Sequence, residues 1–342
     1  YNMTGMSSIV YFIKDIESAG RWFENIFNIK SFQTEGNFIG FMINNFEISF
    51  HRADKKSTNH VGNQVSYWKA SNLENMKENF SLKNKVILVT GAAGLMGMQH
   101  CEAILKHDGI PVLLDKSMDF LVKAKKSLDK KFSTNVDIFM LDITSELEVK
   151  DCCKSIEKKF KNIHGLINNA ANNPKVENPS SNFSNELHNF SLEAWNNDLS
   201  VGLTGSFLCT KYFGYLISKN SNGGSIINVS SDLGLIGPKQ HLYSNNNFKP
   251  VSYSVVKSGI IGLTRFTATY WADKNVRCNA ICPGGIENNQ PAAFLKKISK
   301  EIPMGRLAKK DEYQGVVTWM LSDSSSYLNG AIIPIDGGRT AW

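Results

Sequence analysis

The chain has 342 residues, of which 42% are hydrophobic and 20% charged, and it carries a formal net charge of +7 at pH 7. This length predicts one large domain and a smaller one, and the composition is that of a globular protein with a real core. Its apolar runs are only as long as strands, so we expect no membrane span and no secretion signal. The six cysteines lack C-x-x-C spacing. This argues against a zinc site or disulfides and favours the cytoplasm.

The excess of lysine is concentrated in two stretches, 123–131 and 154–161. The preferred interpretation is that they form the solvated faces of amphipathic helices. Nucleic-acid binding is the alternative, but no zinc-finger or RNA-recognition signature accompanies the charge. We therefore expect no nucleic-acid partner.

Residues 1–80 differ in pattern from the rest of the chain and predict a small α+β module. Strands are predicted at Ile9–Ile13, Phe38–Ile43 and Glu47–His51 and a helix at Ile16–Phe27, followed by a second strand at Gln64–Trp68 and a second helix at Asn72–Asn79. We interpret this part of the chain as the order βαβββ, with a second βα start behind it.

This order resembles a vicinal-oxygen-chelate (glyoxalase-like) module, on the stretches Val10–Phe12, Lys14–Glu17, Trp22–Ile29 and Glu47–Ser49. Metal-binding members of that family place histidine and glutamate on inner strand faces, where this chain has Ser8, Val10 and Gln64. A lone pair such as Glu47 and His51 is more often polar surface than a metal site. We expect an accessory or interaction module without a metal.

Beyond Ser81, short apolar strands alternate with segments of helix length. Strands are predicted at Lys85–Thr90, Pro111–Asp115, Val136–Leu141, Gly165–Asn168, Ser225–Ser230, Arg277–Ile281 and Ile332–Ile335, with helices that include Gln99–Lys106, Glu193–Tyr212 and Tyr253–Ala272. This alternation predicts a Rossmann-type, doubly wound α/β domain over residues 82–342, with a parallel sheet. In such folds ligands bind at the carboxyl ends of the strands.

A glycine motif, Thr90–Gly97, follows the first of these strands and opens a helix. Glycines at such a turn let a pyrophosphate approach the helix N-terminus, where free N–H groups favour an anion. We expect Gly91, Met96 and Gly97 to form a dinucleotide site. Asp115 ends the second strand, where a carboxylate can accept from both ribose hydroxyls and would repel a 2′-phosphate. This favours NAD, although Lys116 beside it leaves NADP open as the less favoured cofactor.

Tyr253 and Lys257 lie four residues apart on a predicted helix, so their side chains share one face. A free tyrosine keeps its proton to about pH 10. A nearby lysine cation and a positively charged nicotinamide both favour the phenolate and lower that value. Such a tyrosine can take a proton from an alcohol, or return one to a ketone.

Together these motifs resemble the short-chain dehydrogenase/reductase family, over residues 82–342. The resemblance implies that Ser231, Tyr253 and Lys257 are catalytic, with Ser231 orienting the reacting oxygen. It further implies cofactor contacts from Tyr253 and Lys257 themselves and from Asp142, Ile143, Asn168, Asn169, Ala170, Pro283, Gly284 and Ile286. A homodimer or homotetramer is implied as well.

One departure from the family pattern is Gly202, which occupies the position of an asparagine that bends its helix and helps to hold a relay water. Glycine can also bend a helix and expose a carbonyl. The Ser231–Tyr253–Lys257 core is intact. A cofactor-bound regulatory or scaffold protein, and an epimerase using NAD transiently, therefore remain as alternatives to an alcohol/ketone oxidoreductase.

The segment 237–250 between Ser231 and Tyr253 is longer than usual for the family and rich in polar residues. Its asparagines, His241, Lys239 and Lys249 can bind hydroxyls or a phosphate. Tyr243 and Phe248 can stack on a sugar ring. The motif Asp336–Trp342 looks like a subgroup from bacterial surface-sugar and flagellin-modification clusters. We therefore expect a sugar-derived, anionic substrate; a solvated loop without substrate contact is the alternative.

Overall fold

The computed structural model describes residues 6–13, 16–27, 30–31, 33–35, 38–43, 46–52, 64–68, 80–172, 185–243 and 248–342. The chain divides into two compact units, Tyr1–Glu78 and Asn79–Trp342. The helix predicted at Asn72–Asn79 lies outside the described residues.

The N-terminal unit contains a five-stranded sheet and one helix. Its elements are β1 (Met6–Ile13), α1 (Ile16–Phe27), β2 (Gln33–Glu35), β3 (Phe38–Ile43), β4 (Phe46–Arg52) and β5 (Gln64–Trp68). The sheet order is β2-β3-β4-β1-β5, with β1 parallel to β4 and antiparallel to β5. Phe23 of α1 packs on Phe41 of β3 with ring centroids 4.8 Å apart. The short strand β2 was not predicted.

The second unit is built on a parallel seven-stranded sheet. Its strands are β6 (Val86–Thr90), β7 (Ile110–Asp115), β8 (Asp137–Met140), β9 (Gly165–Asn168), β10 (Gly224–Val229), β11 (Val276–Pro283) and β12 (Ile332–Ile335). Their order is β12-β11-β10-β9-β6-β7-β8. The chain therefore reverses direction across the sheet between β6 and β9, and a crevice opens at the carboxyl ends of these two strands.

Helices cover both faces of this sheet. They are α2 (Leu95–Lys106), α3 (Met118–Phe132), α4 (Glu146–Lys159), α5 (192–218), α6 (Val251–Tyr270), α7 (Ala292–Ile298) and α8 (Gln314–Leu321). Two apolar clusters separate the helices from the sheet, one around Leu88 and Phe213 and the other around Ile87 and Val317. The predicted Rossmann-type α/β fold is confirmed; the element ends differ from prediction by a few residues, as helix and strand boundaries commonly do.

The helix α5 is irregular, because it includes two π-helical stretches, Ser200–Thr204 and Thr210–Gly214. Gly202 lies in the first of them, and a Cβ atom there would lie 2.4 Å from Cγ1 of Val256 on α6. Any larger residue at position 202 would therefore have to move the Val256 side chain. Close packing of the two helices accounts for the glycine.

Several further observations bear on the expectations from composition. The lysine-rich stretches lie largely on α3 and α4. All six cysteines are buried and free. Across the described ranges no helix is long and apolar enough to span a membrane. The same residues include no group of three or more histidine, cysteine or carboxylate side chains that could hold a metal ion.

Candidate active site

A cleft of about 700 Å³ opens at the carboxyl edge of the parallel sheet. Its walls come from the loops after β6, β7, β8, β9, β10 and β11 and from the first turns of α6. The predicted site residues among its lining are Gly91, Met96, Asp115, Asp142, Ile143, Asn169, Ala170, Ser231, Tyr253, Lys257, Pro283, Gly284 and Ile286. Residues far apart in the chain thus meet in one cleft.

The glycine turn at the start of α2 forms one end of the cleft. Gly91 has φ +60°, and a Cβ atom on it would lie 2.9 Å from Cα of Ala170. A Cβ on Gly97 would lie 2.2 Å from the carbonyl oxygen of Gly91. The N-cap of α2 is Gly94, and no side chain caps the helix. Its first N–H groups are therefore available to a phosphate, and the turn fits the pyrophosphate of a dinucleotide.

Asp115 links this turn to the end of β7. Its two carboxylate oxygens accept hydrogen bonds from the backbone N–H groups of Ala93, at 3.2 Å, and Ser117, at 3.3 Å. Lys116 also lines the cleft. A carboxylate oxygen has two lone pairs. Asp115 can therefore hold the turn and still accept from ribose hydroxyls.

Asn169 and Asn168 have different surroundings although they are adjacent. Asn169 Nδ2 donates to the carbonyl oxygens of Thr90 and Gly91, at 2.9 and 3.1 Å, and its side chain lies at the cleft. Asn168 is buried behind the wall and donates to Thr210 and Asn228. Side chains alternate across a strand. Asn168 therefore points into the sheet interior, and neither Asn168 nor Gly97 is among the residues that line the cleft. Cofactor contact by these two residues stays a prediction.

His100 lies on α2 and is completely buried. Neither ring nitrogen has a hydrogen-bond partner among the described residues. Burial lowers the pKa of His100 from 6.5 to about 4, and the nearby Asn169 offsets part of that effect. The imidazole is therefore neutral in the folded protein at neutral pH.

This burial predicts a specific loss of stability in acid. Because the unfolded chain binds a proton to His100 at a higher pH than the folded protein does, the free energy of unfolding falls as pH drops below about 6.5. Between neutral pH and about pH 4 the loss from this residue should reach about 3 kcal/mol. Urea unfolding of the wild type and of His100→Leu at both pH values measures this loss of unfolding free energy. His188→Asn, which replaces an exposed histidine, is the control. Parallel pH dependence in wild type and His100→Leu would exclude this assignment.

Tyr253 and Lys257 lie on the first two turns of α6, at the opposite end of the cleft from the glycine turn. Lys257 is buried, and its Nζ donates to the carbonyl oxygen of Val229 at 2.8 Å and lies 5.7 Å from the Tyr253 ring centroid. Burial, and then the charge of Lys249, lower the pKa of Lys257 to about 8. Burial raises the pKa of Tyr253 to about 12, while a hydrogen bond with Ser231 opposes this rise.

The segment 237–250 contributes to the cleft only in part. Lys249 Nζ lies 3.9 Å from the centroid of the Tyr253 ring, over its face, and Tyr243 also lines the cleft. By contrast, Lys239 and His241 both pair with Glu301. Residues 244–247, with the asparagines of this segment, lie outside the described residues. Lys249 and Tyr243 thus line the cleft, whereas Lys239 pairs with Glu301. Substrate contact by this segment stays a prediction.

Two charged residues of the cleft wall were not predicted from the sequence. Asp232 Oδ2 accepts a hydrogen bond from Nη1 of Arg339 at 2.6 Å, and both side chains are buried. Asp232 Oδ1 accepts from the Ser231 hydroxyl at 2.8 Å. Asp232 and Arg339 are 107 residues apart in sequence. No local pattern could have indicated the contact.

A second, smaller cavity of about 10 Å³ lies behind Lys257 and Tyr253. Gly202, Asp198 and Asn172 line it as well. The carbonyl oxygen of Gly202 accepts a hydrogen bond from the Ser206 hydroxyl at 2.9 Å. Glycine at position 202 therefore brings backbone, rather than a side chain, to this cavity.

Comparison with known proteins gives consistent results. The family model described as enoyl-(acyl carrier protein) reductase matches residues 91–340. The chain is 30% identical over 258 residues to the post-translational flagellin modification protein A of Campylobacter coli, covering 75% of this chain and 98% of that protein. It is 31% identical over 265 residues to a 3-oxoacyl-[acyl-carrier-protein] reductase of Thermotoga maritima, with the same coverage. The crystal structure of an NAD+-bound xylitol dehydrogenase matches with a TM-score of 0.67 and 27% identity, over 75% of this chain and 99% of that one.

Proposed function

The chain belongs to the short-chain dehydrogenase/reductase family and is an oxidoreductase, and on this basis we propose that it interconverts an alcohol and a ketone on a sugar-derived substrate. The observation that carries the proposal is the meeting of Ser231, Tyr253 and Lys257 in the same cleft as an uncapped helix N-terminus. One end of the cleft suits a dinucleotide, and the other has the acid and base groups of a proton transfer.

Bound NAD(P) supplies the carrier that accepts or returns the hydride. The glycine turn of Gly91, Gly94 and Gly97 and the first turn of α2 would hold its pyrophosphate, and Asp115 would accept from its adenosine ribose. Asn169, Ala170, Pro283, Gly284 and Ile286 would line the rest of the cofactor site. These assignments rest on the fit of the residues to a dinucleotide.

The protein's own residues manage the proton. In alcohol oxidation the Tyr253 phenolate takes the hydroxyl proton of the substrate, and in ketone reduction the phenol returns a proton to the carbonyl oxygen. The buried Lys257 cation, held by the Val229 carbonyl, favours the phenolate electrostatically. Lys249 over the ring face acts in the same sense. Ser231 positions the substrate oxygen beside the phenol.

We expect NAD to be preferred over NADP, with a kcat/KM ratio of at least about tenfold, equivalent to about 1.4 kcal/mol. The reason is that the Asp115 carboxylate accepts from ribose hydroxyls and repels a 2′-phosphate. Asp115→Ser should narrow the ratio, while Lys116→Ala should widen it. Equal kcat/KM values for both cofactors in the wild type would mean that Lys116 governs the choice.

The substrate class follows from the lining of the reacting end. Lys249 is a cation next to Tyr253, Tyr243 offers an aromatic face, and Asn288 and Gln290 add amides. Such a set suits a sugar with an anionic group better than a lipid. Among the relatives, one is named for flagellin modification and another for xylitol. Screening NADH formation across sugar phosphates, nucleotide sugars, steroids and aliphatic alcohols tests the class. Turnover of lipophilic alcohols alone would overturn it, and no net NADH from any alcohol would favour an epimerase.

Two lysines of one segment provide a matched test of anion recognition. In Lys249→Ala, kcat/KM for a sugar phosphate should fall about tenfold or more relative to the corresponding neutral sugar. In Lys239→Ala the ratio should not change, because Lys239 pairs with Glu301. Using the ratio cancels any effect of Lys249 on Tyr253 that both substrates share. If the ratio is unchanged in Lys249→Ala, the proposal that the substrate carries an anionic group bound by Lys249 is wrong.

Residues 1–80 are proposed to be an accessory module, glyoxalase-like in the order of its elements. Among the residues that the structure describes, those that line the cleft lie beyond position 90. The chemistry assigned above therefore requires no residue of the N-terminal unit. A homodimer or homotetramer is proposed by resemblance to the family.

A further inference from the structure

The hydrogen bonds of Ser231 are unusual for a residue that is to donate to a substrate or a phenolate. Its hydroxyl donates to Asp232 Oδ1 at 2.8 Å, and its oxygen accepts from the backbone N–H of Leu233 at 3.2 Å. A hydroxyl has one proton to give. While Asp232 holds that proton, Ser231 can face Tyr253 only as an acceptor.

Asp232 is held in place by a residue that is distant in sequence. Arg339 Nη1 donates to Asp232 Oδ2 at 2.6 Å, with 4% of the aspartate side chain and 7% of the arginine side chain exposed. Asp336 accepts hydrogen bonds from the backbone N–H groups of Gly338 and Thr340, the two neighbours of Arg339 in the chain. Two buried charges at hydrogen-bonding distance hold each other more firmly than an exposed pair would.

Building on the proposed function, we infer that the Asp232–Arg339 pair is a positioning device, which competes with the phenol for the Ser231 proton so that Tyr253 retains its own proton and donates it in ketone reduction. The charged groups around Tyr253 have opposing effects on the ionisation of its phenol. Lys249 and Lys257 face the ring as cations, Asp232 lies behind Ser231, and Asp198 shares the small cavity with the phenol. The Asp232 charge raises the pKa of Tyr253.

The Asp232–Arg339 pair raises the pKa of the Tyr253 phenol in two ways. A serine proton free to donate would stabilise the phenolate, and Asp232 withholds it. The carboxylate charge itself also disfavours the phenolate. Together they favour the protonated phenol, which is the form required to protonate a carbonyl oxygen and the wrong form to accept a proton from an alcohol.

Removing both charges together tests this while leaving neither one buried and unpaired. In Asp232→Ala/Arg339→Met, the kcat/KM of alcohol oxidation should reach its alkaline plateau at a pH lower by about one unit. A merely structural role would lower the rates and leave the midpoint unchanged, and that result would overturn the inference. Arg339→Lys keeps the ion pair, so its pH profile should keep the wild-type midpoint. A midpoint in Arg339→Lys that is shifted as far as in the double variant would also contradict the inference.

Two further measurements keep the test decisive. NMR of the ligand-free protein with ¹³Cζ-labelled tyrosine follows the ionisation of Tyr253 directly. The Tyr253 signal is identified as the one that is absent in Tyr253→Phe. In the double variant, ionisation of the Tyr253 phenol should begin at a lower pH than in the wild type. If the double variant fails to fold, Asp232→Asn preserves the shape and should shift the midpoint in the same direction. An active Tyr253→Phe enzyme would refute the proposed function itself, whereas an inactive one with an unmoved midpoint in the double variant refutes only this inference.

Discussion

Replacing Tyr253 by phenylalanine is expected to lower kcat by about 10³-fold, within the range that general acid–base catalysis contributes. The phenyl ring preserves the contact with Lys249 and the packing at the start of α6, and only the transferable proton is lost. Cofactor affinity should remain within a few-fold, because the pyrophosphate end of the cleft is built from other residues. Steady-state kinetics and calorimetric titration with NAD measure the two quantities.

Tyr243 supplies the matched control for this substitution. It lines the same cleft and stacks on Phe294 with ring centroids 6.0 Å apart. Tyr243→Phe removes a hydroxyl from the cleft without touching the phenol above Lys257, so kcat should change by no more than a few-fold. Equal losses in the two variants would point to altered packing rather than proton transfer, and turnover of Tyr253→Phe near the wild-type rate would refute the mechanism.

Gly97→Ala should weaken NAD binding by about ten- to hundredfold, the equivalent of the roughly 1–3 kcal/mol that overpacking commonly costs. The added Cβ would lie 2.2 Å from the Gly91 carbonyl oxygen and 2.7 Å from Cα of Ala92. Both neighbours are backbone atoms, so the turn itself must move. The backbone N–H groups proposed to bind the pyrophosphate would then be displaced.

Gly315→Ala is the control for this change. Gly315 is exposed on α8, and a Cβ atom there meets nothing within 4 Å. Alanine also favours a helix over glycine. NAD affinity should be unchanged, and the melting temperature should hold or rise. If Gly97→Ala melts like wild type and binds NAD equally well, the glycine turn is not the pyrophosphate site.

Much of the fold could be predicted because its signals are local. Apolar runs of strand length mark the sheet, and the strand–glycine–helix order around Thr90–Gly97 marks the turn. Tyr253 and Lys257 are one helical turn apart, so the sequence alone places them on the same face. For these residues the local pattern and the global arrangement agree.

The remainder depends on contacts that sequence patterns do not encode. Asn168 and Asn169 look alike in sequence, but alternation along β9 directs one to the interior and the other to the cleft. Lys239 and Lys249 are equivalent by composition, but Lys239 pairs with Glu301 whereas Lys249 lies over the Tyr253 ring. Arg339 follows β12 and meets Asp232 after β10, although the two residues are 107 positions apart in sequence. Such pairings are set by the strand order, which brings distant loops together at one edge.

The buried cysteines have a consequence for how the protein responds to thiol reagents. Burial raises the pKa of Cys152 to about 12 and that of Cys153 to about 11, and it raises that of Cys101 further. Alkylation requires the thiolate and access to it, and the native fold withholds both. Labelling can therefore proceed only as fast as each region opens. The thiols of α2, α4, α5 and β11 are thus built-in reporters of local unfolding, which can be counted by mass spectrometry without adding a probe.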